Sequence, residues 1–427
     1  MGQTVIDTPD PGQVFVARQP ILDKGRQVFG YELLLRPTPM AENESVAGDR
    51  ASAKVISNVF IEIGLDTLVD GRKAFVKVGR SLLLEGIPSV LPPSRVVIEL
   101  AGDIEADSQV VEACRGLRES GYMLAVDDFV LNSWTADLVP IANFLKVDYS
   151  MVTDAAVREK MANSAAKSNA KLIAKNVETL DLFEVAMKDG FSYFQGFFFG
   201  RPLILQGRSV PGHQIANLRL MHALHDLSLS VHQLEDLVKH DAALCFRILR
   251  TVNSAAYALR GPVHSIRDAM VYLGRDTVRR WASLWALAGM NERAHAELVS
   301  ISTVRARCCE ILGESIGGEE EGAEGFLVGL CSLMDVILER PMAYIVADVP
   351  LSDETRAALT GESNRRRRML DCAIAYERGH WDRAIVMAQS LKVKPSLLPK
   401  AYADALRWSR ELQQDVAPAR KNFPHNS

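Results

Sequence analysis

Residues 123–148 read MLAVDDFVLNSWTADLVPIANFLKVD. Two short apolar runs, MLAV and FLKV, each close on aspartate: Asp127-Asp128 and Asp148. Apolar runs of this length bounded by polar residues predict buried strands whose C-terminal ends carry charge. The pattern extends outward in both directions. VVIEL at 96–100 carries Glu99, FVKV within 74–78 carries Lys77, and KLIAKNVE at 171–178 carries Lys175 and Glu178. Similar runs occupy 14–17, 29–35 and 193–199. Between most of them lie stretches with apolar residues three and four apart, such as 110–120 and 181–188. Alternating strands and helices predict a mostly parallel sheet with helices outside it. Eight runs in about 200 residues predict a closed barrel, a fold that places function at the C-terminal ends of its strands.

Beyond Pro202 the texture changes. Residues 212–408 show helical spacing of apolar residues and no strand pattern, which predicts an all-α second domain. The expected organisation is a polar N-terminus at 1–12, a barrel at 13–204, a linker at 205–212, a helical domain at 213–410 and a frayed tail at 411–427. The Gly/Glu-rich stretch GESIGGEEEGAEG at 313–325 reads as an exposed loop. The apolar run FLVGLCSLMDVIL at 326–338 is too short to span a bilayer and reads as a buried helix.

Composition narrows the classes. The chain has 427 residues, 48% of them hydrophobic and 24% charged, the balance of a soluble globular protein. A net charge of −4 gives no footprint for nucleic acid. No N-terminal leader pattern is visible. The cysteines Cys114, Cys245, Cys308, Cys309, Cys331 and Cys372 form no CxxC pair and read as reduced core residues. Cytoplasmic placement without a membrane anchor is the expectation.

Acids and amides gather at the predicted strand ends: Glu32, Glu99, Asp127, Asp128, Asp148, Glu178 and Gln195. Oxygen ligands converging at one barrel mouth are the donor set that hard divalent cations such as Mg²⁺ prefer. A pair of such ions can activate water for in-line attack on a phosphodiester. Singly, each acid is weak evidence, because acids at strand ends are often helix caps or surface groups.

Together they resemble the EAL family of cyclic di-GMP phosphodiesterases across roughly residues 14–205. Glu32-Leu33-Leu34-Leu35-Arg36 stands at the family's Glu-Ala-Leu-x-Arg. Asp127-Asp128-Phe129-Val130, Lys146-Val147-Asp148 and Gln195-Gly196-Phe197-Phe198 stand at its later motifs. The resemblance implies an EAL-type (β/α) barrel, Mg²⁺ or Mn²⁺ as cofactor in active members, and Arg36 and Gln195 as candidate ligand contacts.

The departures cut the other way. Lys77 stands where active members carry asparagine, Lys175 where they carry glutamate, and Gly102 where they carry a second glutamate. Asparagine to lysine and glutamate to lysine together move the local charge by about three units in the positive direction. Unit charges about 4 Å apart interact by roughly 4 kcal/mol at an effective dielectric near 20, so a dication facing two ammonium groups is strongly disfavoured. The lysines are expected to pair with Glu32, Glu99, Asp127 or Asp128 and take over the neutralising role of the metals.

Residues 205–410 resemble the HDOD family through LEDLVKHDAALCFRILRTVNSAAYALRGPVHSIRDAMVYLGRDTVRRWASL. Asn253-Ser254-Ala255, the Pro-containing turn before Ser265-Ile266 and the Leu273-Gly274 break carry the match. The two domains in this order resemble the YuxH-like EAL/HDOD type. His240-Asp241 invites a metal-hydrolase reading but lacks partner ligands, and Asp241 reads as a helix-start acid. His222 and His225 share a helix face without a third ligand. Arg365–Arg368 reads as a solvated face, a partner for Glu319–Glu321, or a docking surface. Trp281, Trp285 and Met290 read as packing.

The resemblance implies a non-catalytic bacterial signalling adaptor, with no bound cofactor and no catalytic residue, affecting motility or biofilm behaviour. Its partners would be other signalling proteins through the HDOD domain, with a homodimer through the barrel as a further expectation. Two alternatives stand beside it: a receptor that binds cyclic di-GMP without hydrolysis, and an active phosphodiesterase.

Overall fold

The computed structural model describes residues 14–37, 63–130, 137–196, parts of 220–283, 296–338, 340–347 and 351–416. It divides into two compact units. One comprises Met1–Arg201 with Ile374–Gln389 and Lys394–Ala403, and the other Pro202–Ala373 with Ser390–Val393 and Asp404–Ser427.

The first unit is built on a closed eight-stranded barrel. Its strands are β1 (Val14–Asp23), β2 (Val28–Pro37), β3 (Lys73–Val78), β4 (Val96–Leu100), β5 (Met123–Val126), β6 (Phe144–Asp148), β7 (Lys171–Lys175) and β8 (Tyr193–Phe194). β2 to β8 pair in parallel, while β1 runs antiparallel to both β2 and β8 and closes the ring. The helices outside are α1 (Leu65–Val69), α2 (Arg80–Leu84), α3 (Ser108–Glu119), α4 (Ala155–Lys167) and α5 (Leu180–Lys188). Three of them start where the sequence provides a cap. The side chains of Asp107, Asp154 and Thr179 accept from the amides of Val110, Ala156 and Leu182, satisfying donors that a helix start leaves open.

The barrel interior follows from the two-residue period of a strand. Ile21, Phe75, Val97, Ala125, Phe144 and Ile173 point inward and pack together. Phe75 and Phe144 meet edge to face at 5.5 Å. Two residues further along β3 to β7, on the same inner face, stand Lys77, Glu99, Asp127, Lys146 and Lys175. An apolar floor thus underlies a charged mouth.

Among its described residues the second unit is helical: α6 (Val231–Lys239), α7 (Ile266–Leu273), α8 (Ala296–Cys331), α9 (Met334–Ile337), α10 (Met342–Ala347) and α11 (Asp353–Thr360). α12 (Arg365–Glu377), α13 (Trp381–Ser390) and α14 (Leu397–Val416) follow, and of these Ile374–Gln389 and Lys394–Ala403 belong to the first unit. Leu224, Leu234, Val238, Ile266 and Met270 share one core. Ser265 caps α7 by accepting from the Asp268 amide, and Gly274 ends it at φ 84°. No helix among the described residues is long and apolar enough to cross a membrane.

One expectation is corrected. Residues 313–325 are not a loop: α8 runs through them with a break at Gly317 and Gly318. The glycines allow its two arms to touch backbone to backbone. A Cβ on Gly325 would lie 2.5 Å from the Cys309 carbonyl oxygen, and one on Gly329 would lie 2.5 Å from that of Arg305. The arginine run is also resolved. Arg366 donates to Glu324 at 2.6 Å and Thr355 at 2.7 Å, and Arg367 donates to Asp371 at 3.0 Å. Arg365 and Arg368 are exposed. Five of the six cysteines, Cys114, Cys308, Cys309, Cys331 and Cys372, are buried thiols. Outside the described residues lie Cys245, the linker 205–212, the tail 417–427 and residues 131–134. So do Phe197-Phe198, His222, His225, His240-Asp241, Asn253–Ala255, Trp281, Trp285 and Met290.

Gly329→Ala should cost about 1–3 kcal/mol in urea unfolding, because a core this close has no room for a methyl group. A loss below about 0.5 kcal/mol, the range of ordinary surface changes, would contradict the tight hairpin.

Candidate functional site

The charged mouth is organised around one ammonium group. Lys146 on β6 is fully buried, and its Nζ donates to Glu32 Oε2 at 2.8 Å and Glu99 Oε2 at 2.7 Å. A lysine in such a place would ordinarily lose its proton to burial, yet the neighbouring carboxylates of Glu99, Glu32 and Asp127 raise its pKa. Gln195, just past β8, donates from Nε2 to Glu32 Oε2 at 2.7 Å and to Gln19 Oε1 at 2.9 Å.

The other two lysines turn into the same cluster. Lys77 Nζ lies 2.5 Å from Asp127 Oδ2 and 4.0 Å from Glu99 Oε1. Lys175 Nζ donates to Asp127 Oδ1 at 2.5 Å and to Asp128 Oδ1 at 2.6 Å. Asp127 is therefore gripped by an ammonium group on each carboxylate oxygen. Burial would push its carboxyl up, but Lys146, Lys175 and Lys77 hold it well below the usual range. Burial opposes the charge on Lys77 and Lys175 too, and their contacts with Asp127 raise both pKa values nonetheless.

The carboxylates are not equivalent. Burial works against ionised Glu32, but Lys146 and Gln195 bring its pKa below the ordinary value. Glu99, wholly buried and facing the charge of Glu32, is pushed up to about 8 despite Lys146. Its Oε1 has no hydrogen-bond partner, and Lys77 Nζ lies 4.0 Å from it.

Backbone shape fits the charge arrangement. Asp128 sits at φ 45° and Asn176 at φ 58°, left-handed conformations that asparagine and aspartate tolerate better than most residues. Asn176 Nδ2 also donates to Asp148 Oδ2 at 2.9 Å. A Cβ on Gly102 would lie 2.7 Å from Asp128 Cβ and 3.0 Å from the Asp127 carbonyl oxygen. No side chain fits there while Asp127 and Asp128 keep these positions. Glu178 is exposed, three residues past the end of β7.

The expected residues Glu32, Lys77, Glu99, Asp127, Asp128, Lys146, Lys175 and Gln195 thus come together. Sequence reading missed Gln19, which the antiparallel register sets opposite Glu32. The alternation of β1 held the signal, since Gln19 lies two residues from inward-facing Ile21. Ammonium groups occupy the oxygens that a divalent pair would need, so the residues present do not fit such a metal. Among the described residues no group of three or more His, Cys, Asp and Glu side chains is arranged to hold one.

A barrel with this mouth and a helical second unit define a two-domain protein of the EAL/HDOD type. A family model described as EAL domain matches residues 57–202, and one described as HDOD domain matches residues 213–339. The chain belongs to this family with the Bacillus subtilis protein YuxH, which is 30% identical over 408 residues, covering 94% of this chain and 99% of YuxH. A Vibrio cholerae protein named cyclic di-GMP phosphodiesterase CdgJ is 29% identical over 402 residues, covering 94% of this chain and 93% of CdgJ. Among solved structures, an EAL domain protein from Listeria monocytogenes is 18% identical over 47% of this chain and 93% of that one, with a TM-score of 0.39.

Lys146→Met should cost about 3–5 kcal/mol, because Glu32 and Glu99 would lose their shared buried counter-charge. Lys77→Met, at a half-exposed position where Asp127 keeps Lys175, should cost under about 1 kcal/mol. Urea unfolding that reverses this ranking contradicts the central role of Lys146. Glu99 has a raised folded pKa, so its contribution is present at low pH and lost as pH rises from about 5 to about 8. Glu99→Gln should remove that slope, and an unchanged slope would contradict a proton held on Glu99.

Proposed function

We propose that this chain is a signalling adaptor in cyclic di-GMP pathways, with a barrel that does not hydrolyse the nucleotide and an HDOD domain that binds protein partners. The observation that carries this reading is the pair of contacts from Lys77 and Lys175 to Asp127, on both of its oxygens. In the family's active members, asparagine and glutamate are expected at these two positions, beside metal. Here the same acids are neutralised from within. A divalent ion would have to displace two ammonium groups whose protons are held more tightly than usual. Close packing at Gly102 further denies the barrel the family's second glutamate.

The relative named CdgJ supports a place in cyclic di-GMP signalling and sets the competing outcome. Purified full-length chain is incubated with cyclic di-GMP and Mg²⁺ or Mn²⁺, and linear product is followed by chromatography. The adaptor reading expects none above the metal-only control. Turnover of about 1 per second or faster, an ordinary enzyme rate, would contradict it. Heat of binding without product would make the barrel a receptor.

A further inference from the structure

The inner face of the β1–β2 ribbon does not end at the barrel mouth. Alternation along β2 puts Glu32, Leu34 and Arg36 on one face, and the antiparallel register sets Gln19, Ala17 and Phe15 opposite them. Glu32 and Gln19 belong to the charged cluster. Leu34 and Arg36 carry the same face past the mouth, to the strand end where a barrel gathers its chemistry, and Arg36 presents a guanidinium there.

That extended face is covered by the chain's own C-terminal segment, which belongs to the same compact unit. Phe15 is fully buried against Tyr376 and Trp381, with ring centres 5.9 and 5.6 Å away. Tyr376 also meets Trp381 at 4.9 Å and Tyr402 at 5.0 Å, and its hydroxyl accepts from the Val16 amide at 3.4 Å. Gly379, at φ 73°, comes so close to Leu34 that a Cβ would lie 2.7 Å from Leu34 Cδ1. Next along the ribbon, Arg36 Nη1 donates to Asp382 Oδ1 at 3.0 Å. Leu34 and Arg36, alternate residues on the inner face of β2, are thus met by Gly379 and Asp382, three residues apart.

We propose that Ile374–Gln389 is an intramolecular cover over the ligand face of the β1–β2 ribbon, with the Asp382 carboxylate holding Arg36 where the phosphodiester of an anionic ligand would sit. The aromatic cluster supplies the affinity of the cover, and the exposed ion pair adjusts it. A carboxylate and a phosphodiester each present oxygens to a guanidinium, so the two compete for the same donors.

The inference rests on the mouth still facing an anionic ligand, not on the loss of hydrolysis. Full-length chain is titrated calorimetrically with cyclic di-GMP at low salt, without divalent metal. Asp382 is 82% exposed, so Asp382→Asn leaves the fold intact. That variant should bind about three- to fivefold tighter than the wild type, the range set by one exposed ion pair. Arg36→Ala in the Asp382→Asn background should abolish the gain, and added salt should shrink it. Equal affinity of wild type and Asp382→Asn, or no heat from either, overturns the cover. Linear product formed with metal counts against the adaptor reading alone and leaves this one standing.

Discussion

One ammonium group, Lys146 Nζ, buried and shared between Glu32 and Glu99 in the barrel mouth, sets the terms for the rest of the site. Two carboxylates on a single cation leave an excess of negative charge at low dielectric, where it is expensive. The excess is met in two ways. Glu99 retains a proton to well above the ordinary carboxylate range. Lys77 and Lys175 bring two further cations to Asp127 from β3 and β7, two strands away on either side of β5. The cluster Glu32, Glu99, Asp127, Asp128 against Lys77, Lys146, Lys175 then balances once Glu99 holds its proton. No external ion is required to neutralise it.

Backbone and packing reinforce this charge state. Asp128 and Asn176 occupy left-handed conformations at the strand ends. Gly102 lets the Asp127-Asp128 turn lie against the end of β4. Restoring one family residue would therefore disturb its neighbours: a side chain at 102 collides with the turn that presents Asp127 to both lysines. The mouth behaves as a coupled set of residues. The C-terminal segment adds a second layer, since it meets the same strand that carries Glu32.

Much of this was legible in the sequence, for a stated reason. Period-two alternation puts a charged residue two positions beyond an apolar one, as in Phe75–Lys77, Val97–Glu99 and Ile173–Lys175, and strand ends are where a barrel gathers its chemistry. The role of Lys146 was not legible, because its two partners lie 114 and 47 positions away and are brought near only by closure of the ring. The address of the C-terminal segment was hidden similarly. Helical spacing shows that residues 381–390 form a helix, but nothing in that spacing says that Trp381 packs on Phe15. The error at 313–325 has a different origin. Glycine both breaks helices and lets them touch, and periodicity alone could not separate a loop from a hairpin with contacting arms.

The central claim is that lysines have replaced metal charge. Manganese uptake tests it most directly, followed by the electron paramagnetic resonance signal of free Mn²⁺ with wild-type chain and with Lys77→Asn/Lys175→Glu. The account predicts that the wild type leaves the free-ion signal unchanged at millimolar metal and that the double variant diminishes it. Micromolar uptake by the wild type, abolished by Asp127→Asn, would contradict it.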